Sequence, residues 1–336
     1  MKRVNILSEP DYICEGWIYD LNKEKKVIAG IEPELIRGRK GSCKSNCVQI
    51  RLISDAPNIS VRSTVDDKFN AELPHTGICA QHGLACSYRI CGEDIWHNAD
   101  CYSGRDTTYE VLIELAAVVP AGKKYEAVIY GPIFSYISDM DMMIDYDYTM
   151  EPVDRKRDKV LFIGGPVTYG AGVTSTSMMF SNIFARRYDI EPVNLSYYWW
   201  NWMEGQREVL NKMENQLKDI KLIYLECDTP RMSYSIMEEN LPKIVEFLLE
   251  KTDARIVLWN YPVSVALPSN EERQAFIKNM MDNYETDRLV FCDNYSKWSE
   301  NDFDMYTYDG CFVNDTGNIW IYKTLEQYME ELCQNI

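Results

Sequence analysis

The second half of this sequence contains no histidine: all three, His75, His82 and His97, precede residue 98 of a 336-residue chain. Acid–base chemistry centred on residues 159–336 would have to run without an imidazole of its own, the side chain that titrates nearest neutral pH. Positive charge is also scarce. Thirty-five lysines and arginines stand against 52 acids, a formal net charge of −17. That balance argues against nucleic acid or an anionic membrane as partner, since both select basic surfaces. The acids are spread through both halves, and their plain meaning is solubility. Long apolar runs are missing, and none approaches the ~20 residues that cross a bilayer. The N-terminal text, MKRVNILSEPDYICEG, has a basic start but neither an apolar core nor a small-residue cleavage site, so it does not read as a signal peptide. A cytoplasmic location with reduced thiols is the expectation.

The hydrophobic fraction, 46%, is that of a globular protein, and the length allows two domains. Two periodicities divide the chain. Between residues 44 and 130 apolar residues alternate with polar ones. CVQIRLIS puts Val48, Ile50 and Leu52 on one face and Gln49 and Arg51 on the other, and NISVRSTV, YEVLIEL and YEAVIYG behave similarly. This pattern predicts half-buried antiparallel strands and a β-sandwich over 1–150. From residue 159 short continuous apolar runs take over: VLFI, LIYL, IVLW and LVFC. Such runs suit parallel strands buried on both faces. Stripes of helical period lie between and after them, including Val209, Leu210, Met213 and Leu217, then Ile244, Val245, Leu248 and Leu249. Alternating strands and helices predict a doubly wound α/β domain over 159–336, with the charged stretch 151–158 as linker.

In such a sheet ligands sit beyond the carboxyl ends of the strands. Four segments should converge there: GGPVTYG (164–170), NLSYYWW (194–200), ECDTPRM (226–232) and YDGCFVND (308–315). In that order they resemble the blocks of the SGNH, or GDSL, hydrolases, a likeness covering most of residues 159–336. CGEDIW (91–96) looks like the G-x-D-L-Y signature of the small β-sandwich that precedes the hydrolase domain in one bacterial branch. The resemblance implies a flavodoxin-like three-layer α/β domain after a jelly-roll-like antiparallel sandwich. It also implies a serine nucleophile, glycine and asparagine oxyanion donors, and a histidine base preceded by aspartate. Here those positions read Pro166, Trp199, Arg231 and Phe312, and Asp309 alone is kept. Proline offers neither hydroxyl nor N–H. Phenylalanine cannot take a proton. Losing a nucleophile or base alone costs on the order of 10⁶ in kcat.

The expectation is a pseudohydrolase that acts by binding a small molecule or protein partner. Its pocket would be lined by Gly165, Pro166, Tyr169, Ser196, Trp199, Arg231, Asp309 and Phe312. The competing expectation is an enzyme acting on an ester of acylated-carbohydrate type through relocated residues, Cys311 or the carboxylates Asp228 and Asp309. His97 would then be the one base within reach. A carboxylate beside Cys311 would raise its pKa and blunt it. Aromatic residues crowd the second block (Tyr197, Tyr198, Trp199, Trp200, Trp202). They could pack a filled core or stack on a ligand.

Six of the eleven cysteines fall between residues 43 and 101. HTGICAQHGLACSYRIC offers Cys79, His82, Cys86 and Cys91 as a tetrahedral zinc set. The spacing fits no finger or ribbon and the chain has no C-x2-C pair, so loose thiols among strands are the preferred reading and no cofactor is expected.

Overall fold

The structure, a computed structural model, describes the chain except residues 22–24, 31–44, 67–72, 103, 105, 155, 200, 230, 261–269, 295–296, 298–302 and 335–336. Over the described residues two compact units separate. One runs from Met1 to Lys156 and includes Val173–Asn182; the other comprises Arg157–Gly172 and the chain from Ile183 onward.

The first unit holds two six-stranded sheets. One has the order Trp17–Leu21, Lys25–Ala29, Tyr136–Ile144, Asn58–Asp66, Thr108–Glu114, with Lys2–Asn5 also on Tyr136–Ile144. The other runs Met150–Pro152, Gln49–Ser54, Tyr125–Tyr130, Leu84–Ile90, His97–Tyr102, with Ile13–Glu15 also on Gln49–Ser54. Ile59, Val61, Val111 and Met140 of one share a single core with Ile50, Leu52, Cys86 and Ile129 of the other, which makes the unit a β-sandwich. Thr108–Glu114 shows the expected alternation in full, its odd-numbered residues buried and its even-numbered ones exposed.

Gln49–Ser54 departs from it. Gln49 and Arg51, read from the pattern as the polar face of a half-buried strand, are 0% exposed. Partners make this possible. Arg51 lies 3.6 Å from the Glu126 carboxylate, which also holds Arg89 at 2.8 Å. Arg51 donates to Gln49 Oε1 as well, and Gln49 Nε2 donates to Asn182 Oδ1 at 3.0 Å. A buried guanidinium is tolerated only when its charge and donors are met in this way. Met150–Pro152 pairs with Gln49–Ser54, so the stretch read as linker begins as a strand.

The second unit is built on a five-stranded sheet. Its order is Glu191–Ser196, Lys159–Gly164, Ile220–Asp228, Arg255–Asn260, Leu289–Cys292, all neighbours parallel. In chain order this is 2-1-3-4-5, the flavodoxin-like arrangement. Four of the five strands carry the apolar runs. The fifth, EPVNLS, sits at the sheet edge, where Pro192 is tolerated. The helical stripes fall on Gln206–Lys212 with Glu214–Leu217, Tyr234–Lys251, Asn270–Met281 and Asp315–Gln334. Val209, Leu210, Met213, Leu217, Ile244, Val245 and Leu248 are all buried. Strand order reverses between Lys159–Gly164 and Ile220–Asp228, the switch point at whose carboxyl ends such sheets hold their ligands. Among the described residues no helix is long and apolar enough to cross a membrane.

Candidate functional site

The strand Lys159–Gly164 delivers Pro166 to that switch point as the first residue of a one-turn helix, Pro166–Tyr169. A helix does not use the N–H of its first residue, so proline fits there with its φ already set. Gly170 closes the turn at φ 93, a left-handed conformation that favours glycine. All four helical residues are buried. A Cβ on Gly165 would stand 2.7 Å from Trp202 Cδ1 and 3.2 Å from Thr229 Cγ2. Trp202 is only 2% exposed and cannot swing away. Gly165→Ala is therefore expected to lose about 1–3 kcal/mol by overpacking, which thermal unfolding followed by tryptophan fluorescence would measure.

Glu226, near the end of the central strand, organises this turn and is itself fully buried. Its Oε2 accepts from the Gly165 N–H (3.1 Å), the Thr168 N–H (3.3 Å) and the Thr168 hydroxyl (2.5 Å). Its Oε1 accepts from the Thr229 hydroxyl at 2.9 Å, whose oxygen takes the Trp202 indole N–H at 3.0 Å. Burial pushes the carboxyl up to about 7, against the pull of these hydrogen bonds. From the second block, Asn194 Nδ2 donates to Thr168 O at 3.0 Å and Ser196 hydrogen-bonds to Asn194 Oδ1. Ser196 is wholly buried and braces the turn.

The aromatic cluster divides. Tyr197 and Trp202 are core residues, 2% exposed each. Tyr198 is half-buried, with its ring 6.0 Å from that of Tyr169 and 6.3 Å from that of Phe312, the latter nearly parallel at 19°. Trp199 is 39% exposed, at the surface and not in the core. Trp200 lies outside the described residues.

Asp228 forms a buried ion pair with Arg273, whose other terminal nitrogen donates to Met232 O at 2.5 Å. Burial lifts Asp228 to about 6 even though Arg273 pulls it down. Asp309 is exposed, and its Oδ1 accepts from the N–H groups of Cys311 and Phe312, both at 3.0 Å, an Asx-type turn. The two carboxylates named as an acid–base pair are thus committed to different partners. Cys227 is buried, and desolvation raises its thiol well above the ordinary value. Cys311 is also raised, first by burial; Arg231 pulls it back and Asp309 adds to the rise. Arg231 is exposed and adopts φ 66.

No family model matches the sequence, and no curated protein does. Solved structures do. A GDSL-like lipase from Bacteroides ovatus superposes with a TM-score of 0.71 at 16% identity, covering 99% of this chain and 98% of that one. A salicylyl-acyltransferase from a tetracycline biosynthetic pathway gives 0.64 at 13% identity, covering 98% of this chain and 95% of that one. A family two carbohydrate esterase from Clostridium thermocellum, in complex with cellohexaose, gives 0.63 at 9% identity, covering 96% and 99%. The fold is that of the SGNH hydrolases. At these identities the likeness establishes architecture, and an SGNH-like architecture carries more than one chemistry.

Within the SGNH-like fold, the structure gathers the predicted rim residues into two groups. Gly165, Pro166 and Ser196 belong to the buried turn around Glu226. Tyr169 and Phe312 pack their rings near Tyr198, whose phenol burial raises while the charge of Arg231 lowers it and that of Asp309 adds to the rise. Arg273 was not foreseen, because it lies in the polar start of a helix, NEERQAFIKNMM, that gives no sign of an inward cation.

In the first unit the four residues offered for zinc do not converge. Cys79 donates to Leu84 O at 3.1 Å, His82 sits 3.5 Å from the Ser135 hydroxyl, Cys86 faces the sandwich core and Cys91 is exposed. Among the described residues no three His, Cys, Asp or Glu side chains are gathered as metal ligands. His97 stacks on Tyr88 with centroids 5.3 Å apart. Cys43 lies outside the described residues.

Proposed function

We propose that this chain is a pseudohydrolase, an SGNH-like protein that binds a small molecule or partner at the C-terminal rim of its parallel sheet without cleaving it. The observation that carries the reading is Pro166 at the apex of the switch-point turn, with the flanking Gly165 and Thr168 amides already donated to Glu226. Acyl transfer by the family route needs a hydroxyl, a base and N–H groups aimed at a developing oxyanion. Pro166 supplies no hydroxyl and no N–H, and the neighbouring amides are engaged. Phe312 stands at the base position, and residues 159–336 contain no histidine. The relocated alternatives are poorly placed. The Cys311 thiol is held protonated, and Asp228 is buried against Arg273. The exposed Trp199, next in the chain to the half-buried Tyr198, provides ring surface of the kind that stacks on sugars, in keeping with the cellohexaose held by the Clostridium esterase.

The test is turnover of aryl acetates by pure protein, with and without a thiol alkylator and a divalent ion, together with fluorophosphonate labelling. Turnover at the buffer blank and no label are expected. Turnover abolished by Cys311→Ala, or covalent labelling, would replace this reading with the hydrolase one.

A further inference from the structure

Away from the rim, the helices Tyr234–Lys251 and Asn270–Met281 flank a groove of about 690 Å³, within the ~300–1,000 Å³ of small-molecule sites. The first helix lines it with Tyr234, Pro242 and Glu246, residues spaced by multiples of four that share one ridge. The second contributes Glu272, Phe276 and Asn279, and the chain just after it adds Tyr284. Tyr234 and Phe276 meet edge to face across the two helices, their centroids 6.0 Å apart at 74°. The Tyr284 hydroxyl donates to Pro242 O at 3.4 Å, which ties the far end of the second helix back to the first. All three rings are half-buried, so they are held in place and still reach solvent.

The groove carries charge of one sign. Among the described residues the charged side chains lining it are Glu246 and Glu272, both exposed, and neither forms an ion pair with a described residue. Of the cations adjacent in sequence to lining residues, Lys243 pairs with Glu239 at 2.9 Å, Arg273 pairs with Asp228, and Lys278 does not line the groove. The acids act on the ring walls. Burial raises the Tyr234 and Tyr284 phenols; Glu238 and Glu272 lift the first further, against Arg273, and Glu246 lifts the second. Asn283, also in the lining, spends its Nδ2 on Asn279 O at 3.3 Å and keeps its Oδ1 as an acceptor.

We propose that the groove binds a linear aliphatic polyamine, its ammonium groups on Glu246 and Glu272 and its methylene chain along Tyr234, Phe276 and Tyr284. Two carboxylates call for at least two positive charges, which a lone quaternary ammonium does not carry. Ring walls call for carbon between those charges, and an ammonium over a ring face is itself attracted there. A bare divalent metal ion brings charge but no apolar surface for the rings.

Titrating spermidine, choline, Mg²⁺ and 1,6-hexanediol into the full chain by calorimetry tests this. Spermidine is expected to bind at least about tenfold more tightly than any of the other three. Glu246→Gln combined with Glu272→Gln, both at exposed helical positions, should lower its affinity about tenfold or more with circular dichroism and unfolding midpoint unchanged. That variant separates the groove from general attraction to an acidic chain, because most of the net charge of −17 remains. Phe276→Leu keeps apolar surface but removes a ring, and should weaken spermidine about threefold. Spermidine affinity unchanged in the double glutamine variant, or matched by choline or Mg²⁺, would overturn the inference. So would the absence of spermidine binding at millimolar concentration. The groove shares no residue with the rim, so none of these outcomes bears on the pseudohydrolase reading.

Discussion

Glu226→Ala is expected to destabilise the protein by about 3–5 kcal/mol. The substitution strands the Gly165 and Thr168 amides in a dry turn and frees two threonine hydroxyls from their shared acceptor. Each buried donor left unmet costs about 1–3 kcal/mol, and rotatable hydroxyls recover part of theirs. Glu226→Gln, which keeps one acceptor oxygen, should fold nearly as well and differ chiefly in its response to pH. The folded carboxyl titrates near 7, above its ordinary 4.5. Between those values the folded chain holds a proton that the unfolded chain has released. Stability from this group is therefore highest at or below pH 4.5, falls as pH rises to about 7 and is flat beyond, a total of about 3 kcal/mol at ~1.4 kcal/mol per pH unit. Asp228 acts with the same sign over a lower window, from 3.8 to about 6. Urea midpoints of the unaltered protein should thus decline from pH 5 to pH 7.5. Glu226→Gln should abolish the part of the decline above pH 6. An unchanged slope in that variant would show that Glu226 is not the titrating group.

This dependence on a buried carboxylate also marks where the sequence stops being legible. The parallel sheet could be read because strands covered on both faces must be apolar throughout, as VLFI, LIYL and IVLW are. The switch-point turn could be read because glycine and proline there have few conformational alternatives. Glu226 was visible only as a polar residue at the end of LIYL. Its partners Gly165, Thr168 and Thr229 are fixed by tertiary contact, which no local pattern encodes. Alternation misled at Gln49 and Arg51 for a related reason. A period of two separates polar from apolar faces, but it does not say whether the polar face meets water or a second layer of buried partners. EPVNLS offered no continuous apolar run because an edge strand needs fewer apolar residues. Trp199 and Trp202, three residues apart in one aromatic segment, ended on the surface and in the core respectively, a choice that composition cannot make.

The Asp228–Arg273 pair supplies an asymmetric test of the same rim. Both side chains are nearly inaccessible, and Arg273 also holds Met232 O, next in the chain to Arg231. Asp228→Ala leaves a guanidinium buried without its carboxylate. That cation cannot shed its proton, so the loss should be about 3–5 kcal/mol, and larger at pH 5 than at pH 8 because the variant also forfeits the proton-linked stability that Asp228 gives below about pH 6. Arg273→Met leaves the carboxyl instead, and a carboxyl can neutralise itself by taking up a proton. Its pKa already stands near 6 with the arginine present and rises further without it. Arg273→Met should therefore be the milder variant at pH 5 and lose stability progressively as pH rises and keeping that carboxyl neutral becomes more costly. Replacing both by apolar residues, Asp228→Leu with Arg273→Met, should recover most of either single loss, since the pair's attraction mainly offsets its own desolvation.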